Sequence, residues 1–330
     1  MKESLTKHIS LLVILLSFNL QSQSIFTRNA LLMGSDFEIT IVDKNESNAN
    51  FLIDLAINEI SRIEKLISSW DKNSQTSLIN LNAGIKPVKV DKELFDLIAR
   101  ALKISDLSQG AFDISYASLD KVWYFDKEML EMPSKEDIIK SVSKVGYHNI
   151  ILNKEKQTVF LKIKGMKIGF GAIGKGYAAD MAKSILVKNE VKSGIINASG
   201  DLTAWGKKPS GKDWMVAIVN PLNKSKIFSW LPIKNKAVVT SGNYERFIKF
   251  NDKSYSHIID PRTGYPSQGI LSVTIFTEKA ELADALATSV FVLGQEIGMN
   301  LINQLKGIDC IIINKENKIL KSKNIEIEKI

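Results

Sequence analysis

The sequence predicts an α+β fold in which mixed, largely antiparallel sheets are flanked by helices and an active site lies between two lobes. Alternating apolar and polar residues indicate a strand over residues 31–42. Apolar residues at helical spacing indicate an amphipathic helix over residues 50–67. A hairpin is indicated over residues 150–163, and hairpins pair their strands antiparallel.

The other elements follow in chain order. Asp91 is placed to cap a second helix that runs through Leu107 and ends at Gly110. A short helix begins at residues 133–137 and ends near Gly146. The remaining strands are expected at residues 158–164, 193–201, 214–219, 237–242 and 271–276.

The first 23 residues have the pattern of a secretory signal, which leaves residues 24–330 as one domain of two closely packed lobes. Lys2 and Lys7 flank its start, and residues 9–18 are almost wholly apolar but too few to span a bilayer. The alternative is a first buried helix or strand. Because of this signal pattern, we expect an exported protein. Export does not require disulfides, and none can form within the chain because Cys310 is the only cysteine.

The net charge of +8 is modest, and its lysines are spread along the whole chain. Arginine-rich clusters interleaved with aromatic residues, which are typical of nucleic-acid binding, are absent from the sequence. The surplus of positive charge therefore indicates a solvated lysine surface.

A glycine-rich stretch, residues 169–180, lies between a β-like run and a helix-like run at residues 177–188. Such a turn exposes backbone N–H groups at the positive end of the helix dipole, and Lys175 adds a full charge, so it would attract a phosphate. Three alternatives stay open for this stretch. The first is a dinucleotide-binding G-x-G-x-x-G motif, in which Asp201 would bind the ribose. The second is a P-loop, although Gly176 stands where a P-loop needs Ser or Thr for magnesium. The third is an ordinary glycine-rich turn between a strand and a helix.

Three polar candidates come from other segments. His257 precedes a well-specified Asp-Pro-x-x-Gly turn at residues 260–264, which would hold the imidazole rigidly near a site. The alternative is a half-buried, hydrogen-bonded histidine. Asp113 follows Gly-Ala-Phe and is set among apolar and small residues, and the alternative for it is a turn former or a helix cap. A strand ending at Thr240, Ser241 and Gly242 offers two hydroxyls.

The helix at residues 283–294 is apolar nearly all round and should be buried. Asp284 and Thr288 are four residues apart and share one face of it. A buried carboxylate needs a partner, and no Lys or Arg lies within that turn. Carboxylate, hydroxyl and carbonyl oxygens suit Mg²⁺, although a capping Asp with a back-bonded Thr is the alternative.

Taken in order, these segments resemble the ApbE family, the FAD:protein FMN transferases of the bacterial envelope. The resemblance covers residues 30–300, and each segment alone is weak. It is carried by eight segments, which are Met33-Gly34, residues 68–82, 110–113, 172–180, 197–201, 240–242 and 257–264, and Asp284 to Thr288.

The resemblance implies an enzyme that uses Mg²⁺ and transfers FMN from FAD to a Thr or Ser hydroxyl of an acceptor protein, with release of AMP. It also implies residence in the periplasm or on the outer face of the inner membrane. The implied acceptors belong to membrane-linked electron-transfer systems. Two other activities stay open, an Mg²⁺-dependent FAD pyrophosphatase that yields FMN and AMP, and an FAD-binding protein without turnover.

The resemblance also implies roles for individual residues. The carbonyl of Ala172 and the side chains of Asp284 and Thr288 would hold Mg²⁺, while His257 and Lys175 would be catalytic. Three residues depart from the usual pattern of the family: Gly169 replaces Asp, Ser199 replaces Gly and Trp70 replaces Tyr. We expect these changes to alter the affinity for FAD and not to abolish function. The implied FAD contacts are Met33, Trp70, Ala111, Phe112, Asp113, Lys175, Asp180, Thr240, Ser241, Gly242 and Ile258.

Overall fold

The structure is a computed structural model that describes residues 23–127, 129, 131–220, 223–242, 247–250 and 253–325. Its fold confirms the predicted α+β class, with antiparallel sheets flanked by helices. The predicted signal at residues 1–23 falls, except for Gln23, outside the described residues.

Seven α-helices and fifteen strands are formed by the described residues. The helices are α1 (Glu46–Ile67), α2 (Gln75–Leu81), α3 (Lys92–Leu107), α4 (Lys135–Ser141), α5 (Gly174–Lys188), α6 (Ala280–Leu293) and α7 (Gln295–Gln304). The strands are β1 (Ser24–Leu32), β2 (Ser35–Asp43), β3 (Val88–Lys89), β4 (Ile150–Asn153), β5 (Thr158–Leu161), β6 (Gly194–Ala198), β7 (Asp201–Trp205), β8 (Trp214–Asn220), β9 (Asn223–Ile233), β10 (Ala237–Gly242), β11 (Phe247–Phe250), β12 (Lys253–Ser256), β13 (Ile270–Thr277), β14 (Asp309–Asn314) and β15 (Ile319–Lys321).

The main sheet has eight strands in the order β1-β2-β6-β7-β10-β13-β14-β15. Every strand pair among the described residues is antiparallel. Strand β5, which precedes the glycine-rich stretch, belongs to a separate three-stranded sheet. A dinucleotide-binding unit needs parallel neighbours joined through its glycine turn, so the topology removes that alternative.

The two faces of the main sheet bury different partners. Val239 packs in a cluster with helix α6, whereas its neighbour Val238 packs with the β8–β9 hairpin. This alternation follows from the period of two along a strand. A larger cluster forms where α1, α3 and α5 cover β2 and β6. Three of the core clusters therefore pack on one continuous sheet.

The strand predicted at residues 31–42 is confirmed from residue 35 onward as β2, but its predicted start is wrong. The chain begins β1 at Ser24 and reverses at Met33 and Gly34, which have φ angles of 52° and 67°. Two successive residues with positive φ form the tight turn that suits a hairpin. The burial pattern explains the error, because alternate residues of β1 are only partly buried and carry a weak apolar signal.

Helix α6 is buried as predicted, with ten of its residues inside the protein. No helix among the described residues combines the length and apolar character needed to cross a membrane.

Candidate active site

A cleft of about 310 Å³ brings together most of the residues singled out in the sequence. It opens at the ends of β10 and β12 and lies against the first turn of α5 and the second and third turns of α6. Its lining includes twelve of the predicted site residues, which are Ala111, Phe112, Asp113, Ala172, Lys175, Thr240, Ser241, Gly242, His257, Ile258, Asp284 and Thr288.

A second cavity of about 490 Å³ adjoins the first. Two more predicted residues, Met33 and Trp70, line it, and Trp70 is 93% exposed. The two cavities share Tyr116, Gly171 and Lys175 in their walls. The two cavities therefore meet at these three residues, one of which is cationic.

The segment that enters the glycine-rich stretch is irregular, which corrects the predicted strand over residues 158–164. Strand β5 ends at Leu161, and side chains hold the chain beyond it. Asn80 binds both backbone groups of Ile168, accepting from its N–H at 2.8 Å and donating to its carbonyl at 3.1 Å. Gly169 then donates to the carbonyl of Ile114 at 2.8 Å. These bonds fix the stretch without a sheet.

Gly176 lets helix α5 approach helix α6. A Cβ atom at this position would lie 2.2 Å from the carbonyl oxygen of Ala280, so no other residue fits. The close approach allows the N–H of Gly176 to donate to Oδ2 of Asp284 at 3.2 Å. Gly176 lies in the first turn of α5, where backbone N–H groups have no acceptor within the helix, so the Asp284 carboxylate satisfies one of them. Ala172 precedes this helix and lines the cleft.

Two of the buried carboxylates that line the cleft, Asp201 and Asp284, act together with Lys175. Asp284 is 5% exposed and Asp201 is 3% exposed. Burial, together with the charge of Asp201, raises the pKa of Asp284 well above its usual range, and Lys175 opposes this. Lys175 pairs with Asp201 at 3.0 Å. With two buried carboxylates close to one lysine, a bound cation would stabilise the ionised form of Asp284.

His257 directly follows β12, and its imidazole lies in the wall of the cleft. The ring of Phe125 packs edge-on against it, with ring centroids 6.5 Å apart. The predicted turn is present, because Gly264 has a φ of 77° and donates to the carbonyl of Asp260 at 2.8 Å. Trp123 donates to the Gly264 carbonyl at 2.8 Å and ties the turn to the core.

Asp113 lies in the cleft wall and also caps a short 3₁₀ helix, Ile114–Ser118. Its carboxylate accepts from the backbone N–H groups of Ser115 at 2.7 Å and Tyr147 at 2.8 Å. Burial raises the pKa of Asp113, and those hydrogen bonds act against that rise. The cap that the sequence left as an alternative is therefore present.

Comparison with known proteins decides the assignment. The sequence matches the profile of the ApbE family over residues 33–312. This chain belongs to the ApbE family. An FAD:protein FMN transferase from Klebsiella pneumoniae (strain 342) is 31% identical over 300 residues, which span 90% of this chain and 92% of that protein. Another FAD:protein FMN transferase, from Treponema pallidum (strain Nichols), is 28% identical over 316 residues, which span 91% and 87% of the two chains.

Solved ApbE structures have the same fold. An ApbE protein from Thermotoga maritima superposes with a TM-score of 0.82 at 30% identity, covering 91% of this chain and 97% of that one. The apo form of the flavinyl transferase ApbE from Pseudomonas stutzeri gives a TM-score of 0.81 at 25% identity, covering 91% and 95%. The prediction of an ApbE-family enzyme with this fold is confirmed.

One predicted FAD contact lies outside both cavities of this ApbE-family site. Asp180 is on α5, and its carboxylate accepts from the backbone N–H groups of Ala280 at 3.0 Å and Glu281 at 2.9 Å. These are the first two residues of α6. The structure thus gives Asp180 a second task, because it caps the helix that carries Asp284.

Two residues of the site were missed as functional candidates in the sequence. Tyr116 lines both cavities, and no motif pointed to it because it lies in a short 3₁₀ helix after the Gly-Ala-Phe-Asp segment. Asp201 was considered only as a ribose acid, whereas it pairs with Lys175 at the start of β7. A strand that opens on an acid after Ser-Gly is a weak signal, since such sequences are typical of turns.

Proposed function

We propose that this protein transfers FMN from FAD to a Thr or Ser hydroxyl of an acceptor protein and releases AMP. One observation carries the proposal: two adjoining cavities meet at Lys175, and the cleft on one side holds His257, Asp284 and Thr288. FAD has the matching form, two aromatic halves joined by a charged diphosphate. The FAD:protein FMN transferases named among the relatives support this activity.

We place the FAD diphosphate at the junction of the cavities. Lys175 offers a positive charge there, and the N-terminal turn of α5 adds its dipole. The flavin and adenine rings then extend into the two cavities on either side. Apolar and small side chains, including Phe112 and Ile258 in one cavity and Met33 and Trp70 in the other, suit flat ring systems.

The residues of the cleft fit a magnesium ion. The fit rests on the buried carboxylate of Asp284, whose pKa is raised by burial and by the charge of Asp201. The side chain of Thr288 and the carbonyl of Ala172 would complete a set of hard oxygen donors. Among the described residues, no group of three or more His, Cys, Asp or Glu side chains is suited to a metal, so this site depends on mixed donors. When bound, Mg²⁺ would neutralise charge on the diphosphate oxygens.

The proposed reaction needs alignment and charge neutralisation more than covalent catalysis. The acceptor hydroxyl oxygen attacks the phosphorus of the FMN half, and the bond from that phosphorus to the bridging oxygen breaks. AMP leaves with the bridging oxygen, and FMN stays on the acceptor as a phosphoester. Lys175 would stabilise the negative charge that develops on the phosphoryl oxygens.

His257 is the proposed general base. Its imidazole shares the cleft with Lys175 and lies beside the rigid turn at residues 260–264, so its position is well defined. It would take the proton from the acceptor hydroxyl as the new bond forms. Asp201 would keep the Lys175 ammonium oriented through their 3.0 Å ion pair.

We also propose that the protein is exported and acts in the periplasm or on the outer face of the inner membrane, on membrane-linked electron-transfer proteins. The motif that motivates this proposal is the charged and then apolar N-terminus at residues 1–23. Detection of the processed chain in the periplasmic fraction, with an N-terminus near residue 24, tests the location.

Product analysis separates the three candidate activities. The protein without residues 1–23 is incubated with FAD and Mg²⁺, with and without a membrane-protein fraction as acceptor, and products are weighed by mass spectrometry. The proposal predicts a flavin-labelled protein and AMP only when acceptor is present. Free FMN and AMP without acceptor would indicate a pyrophosphatase, and intact FAD throughout would indicate a binding protein; either result overturns the proposal.

A further inference from the structure

We propose that the hydroxyl of Tyr116 donates a hydrogen bond to the FAD diphosphate and so determines the preference of the site for diphosphate ligands. This inference rests on the proposed function, because it assumes that FAD lies across both cavities. Tyr116 is one of three residues that the two cavities share, with Gly171 and Lys175. Any ligand that spans the site must pass these three residues.

The backbone around Tyr116 is held in place by contacts with the glycine-rich stretch. The residue lies in the 3₁₀ helix, whose first residue, Ile114, accepts a hydrogen bond from Gly169 at 2.8 Å. The next residue, Ala117, also meets this stretch, since a Cβ on Gly169 would lie 3.1 Å from the Ala117 Cβ. The 3₁₀ helix and the glycine-rich stretch are therefore packed together, which holds the backbone of Tyr116 against the phosphate-binding turn.

Gly171 makes room for the hydroxyl. A Cβ on Gly171 would lie 2.3 Å from the Tyr116 oxygen but 3.5 Å from the ring carbon that bears it. The first distance is a severe overlap and the second is ordinary van der Waals contact. The φ angle of Gly171 does not lie in the left-handed region that favours glycine. A side chain at Gly171 would therefore displace the Tyr116 hydroxyl, whereas the backbone conformation of Gly171 does not demand glycine.

The chemistry of the hydroxyl suits a phosphate oxygen. Burial and the nearby charge of Asp284 raise the pKa of Tyr116, and the Gly171 backbone opposes this rise, so the phenol stays protonated at neutral pH. A protonated phenol donates one hydrogen bond without adding charge. Lys175 supplies the charge but shares it with Asp201 at 3.0 Å. A second, neutral donor at the same junction would strengthen the hold on a diphosphate, and 36% of the surface of Tyr116 is exposed to solvent.

The first test compares three ligands on wild type and Tyr116→Phe, which keeps the ring. The ligands are FAD, ADP and riboflavin, of which riboflavin lacks phosphate. A hydrogen bond to a charged group predicts a loss of about tenfold or more in affinity for FAD and ADP, measured by calorimetry or flavin fluorescence. Riboflavin affinity should stay unchanged. Tyr265→Phe, whose residue is 40% exposed and does not line the cavities, is the matched control and should change none of the three.

The outcomes distinguish this inference from the proposed function. Equal losses for all three ligands, or no loss for FAD and ADP, would overturn the role of the Tyr116 hydroxyl even if wild type transfers FMN. Loss confined to FAD and ADP in a protein that transfers no FMN would uphold the hydroxyl and refute the transferase. A wild-type protein that binds neither FAD nor ADP would refute both.

The second test uses stability and needs no ligand. Gly171→Ala should lower the melting temperature in the wild-type background because the new Cβ overlaps the hydroxyl. In the Tyr116→Phe background the overlap is removed, so the same substitution should cost much less. The double-mutant cycle measures this coupling directly. Equal destabilisation by Gly171→Ala in both backgrounds would show that the hydroxyl does not occupy this space, and the inference would fail.

Discussion

The backbone N–H of Gly176 donates a hydrogen bond to Oδ2 of Asp284 at 3.2 Å, which joins the glycine-rich stretch to the buried helix α6. These residues are 108 positions apart in the chain. The bond depends on the close approach of α5 to the carbonyl of Ala280. It holds a buried carboxylate beside Lys175, and the electrostatics of the proposed magnesium site follow from that placement.

Asp284→Asn should abolish transfer while leaving the metal-free protein folded. The substitution keeps the shape of the side chain and removes a buried charge whose ionisation is costly. Wild type should gain thermal stability as Mg²⁺ is added, since a ligand that binds only the folded state stabilises it. The variant should gain none. Asp120→Asn, at an exposed carboxylate outside the cleft, is the control; a variant at Asp284 with normal Mg²⁺-dependent transfer would contradict the metal assignment.

Gly176→Ala should destabilise the protein by about 2 kcal/mol or more, since overpacking costs typically 1–3 kcal/mol and here the overlap is with backbone. The Cβ would lie 2.2 Å from the Ala280 oxygen. Gly307→Ala is a suitable control because its Cβ would meet no atom within 4 Å, although its φ of 73° carries its own cost of about 1 kcal/mol. Denaturant unfolding measures both. Equal losses at the two glycines would show that α5 and α6 are not in close contact.

Asp180→Asn tests whether this residue caps α6 or contacts FAD. If Asp180 caps α6, loss of its charge should lower the free energy of unfolding by about 1 kcal/mol. The affinity of the folded protein for riboflavin should be unchanged, because Asp180 lies outside both cavities. Measured together, unfolding and flavin titration separate the roles. Loss of riboflavin affinity with unaltered stability would restore Asp180 as a ligand contact.

Glu93→Gln should reduce stability in a pH-dependent way. Glu93 accepts two hydrogen bonds from Arg62, at 2.7 and 2.9 Å, and one from the hydroxyl of Tyr177 at 2.7 Å. The bonds from Arg62 lower the pKa of Glu93 below its ordinary 4.5, so its stabilising effect is present above that pH and is lost as pH falls through the lower folded-state pKa. We expect a loss of about 1–2 kcal/mol at pH 7.

The control for Glu93 is Glu155→Gln, at an exposed residue between β4 and β5. Unfolding by denaturant at pH 7 and at several values below 4.5 gives the comparison. The difference between wild type and the Glu93 variant should shrink as the pH falls. A difference that stays constant, or that grows in acid, would refute the assignment of the ion pair.

Sequence patterns predicted most of this fold because the elements are amphipathic. Helix α1 shows the 3.6-residue period, and α6 is apolar all round because it is enclosed by α5, β10 and β13. The β1–β2 hairpin was missed because its turn consists of Met33 and Gly34, and methionine rarely adopts a positive φ. Local propensity cannot anticipate a conformation that the surrounding sheet imposes.

The candidate site was predicted where residues near in sequence act together, and missed where distant segments meet. Lys175 and Asp284 could be proposed from their own surroundings. The pairing of Lys175 with Asp201 and the capping of α6 by Asp180 could not, since each joins residues whose separation becomes short only after folding. Tyr116 has no local signal at all, because its role follows from the space left by Gly171.

The most direct measurement is the stoichiometry and attachment site of the product. Purified acceptor is incubated with the protein, FAD and Mg²⁺, AMP is quantified by chromatography, and the acceptor is digested for peptide mass mapping. The account predicts one AMP per labelled acceptor, with FMN on a single Thr or Ser through a phosphoester. An unlabelled acceptor beside free FMN and AMP, or FAD recovered intact, would contradict it.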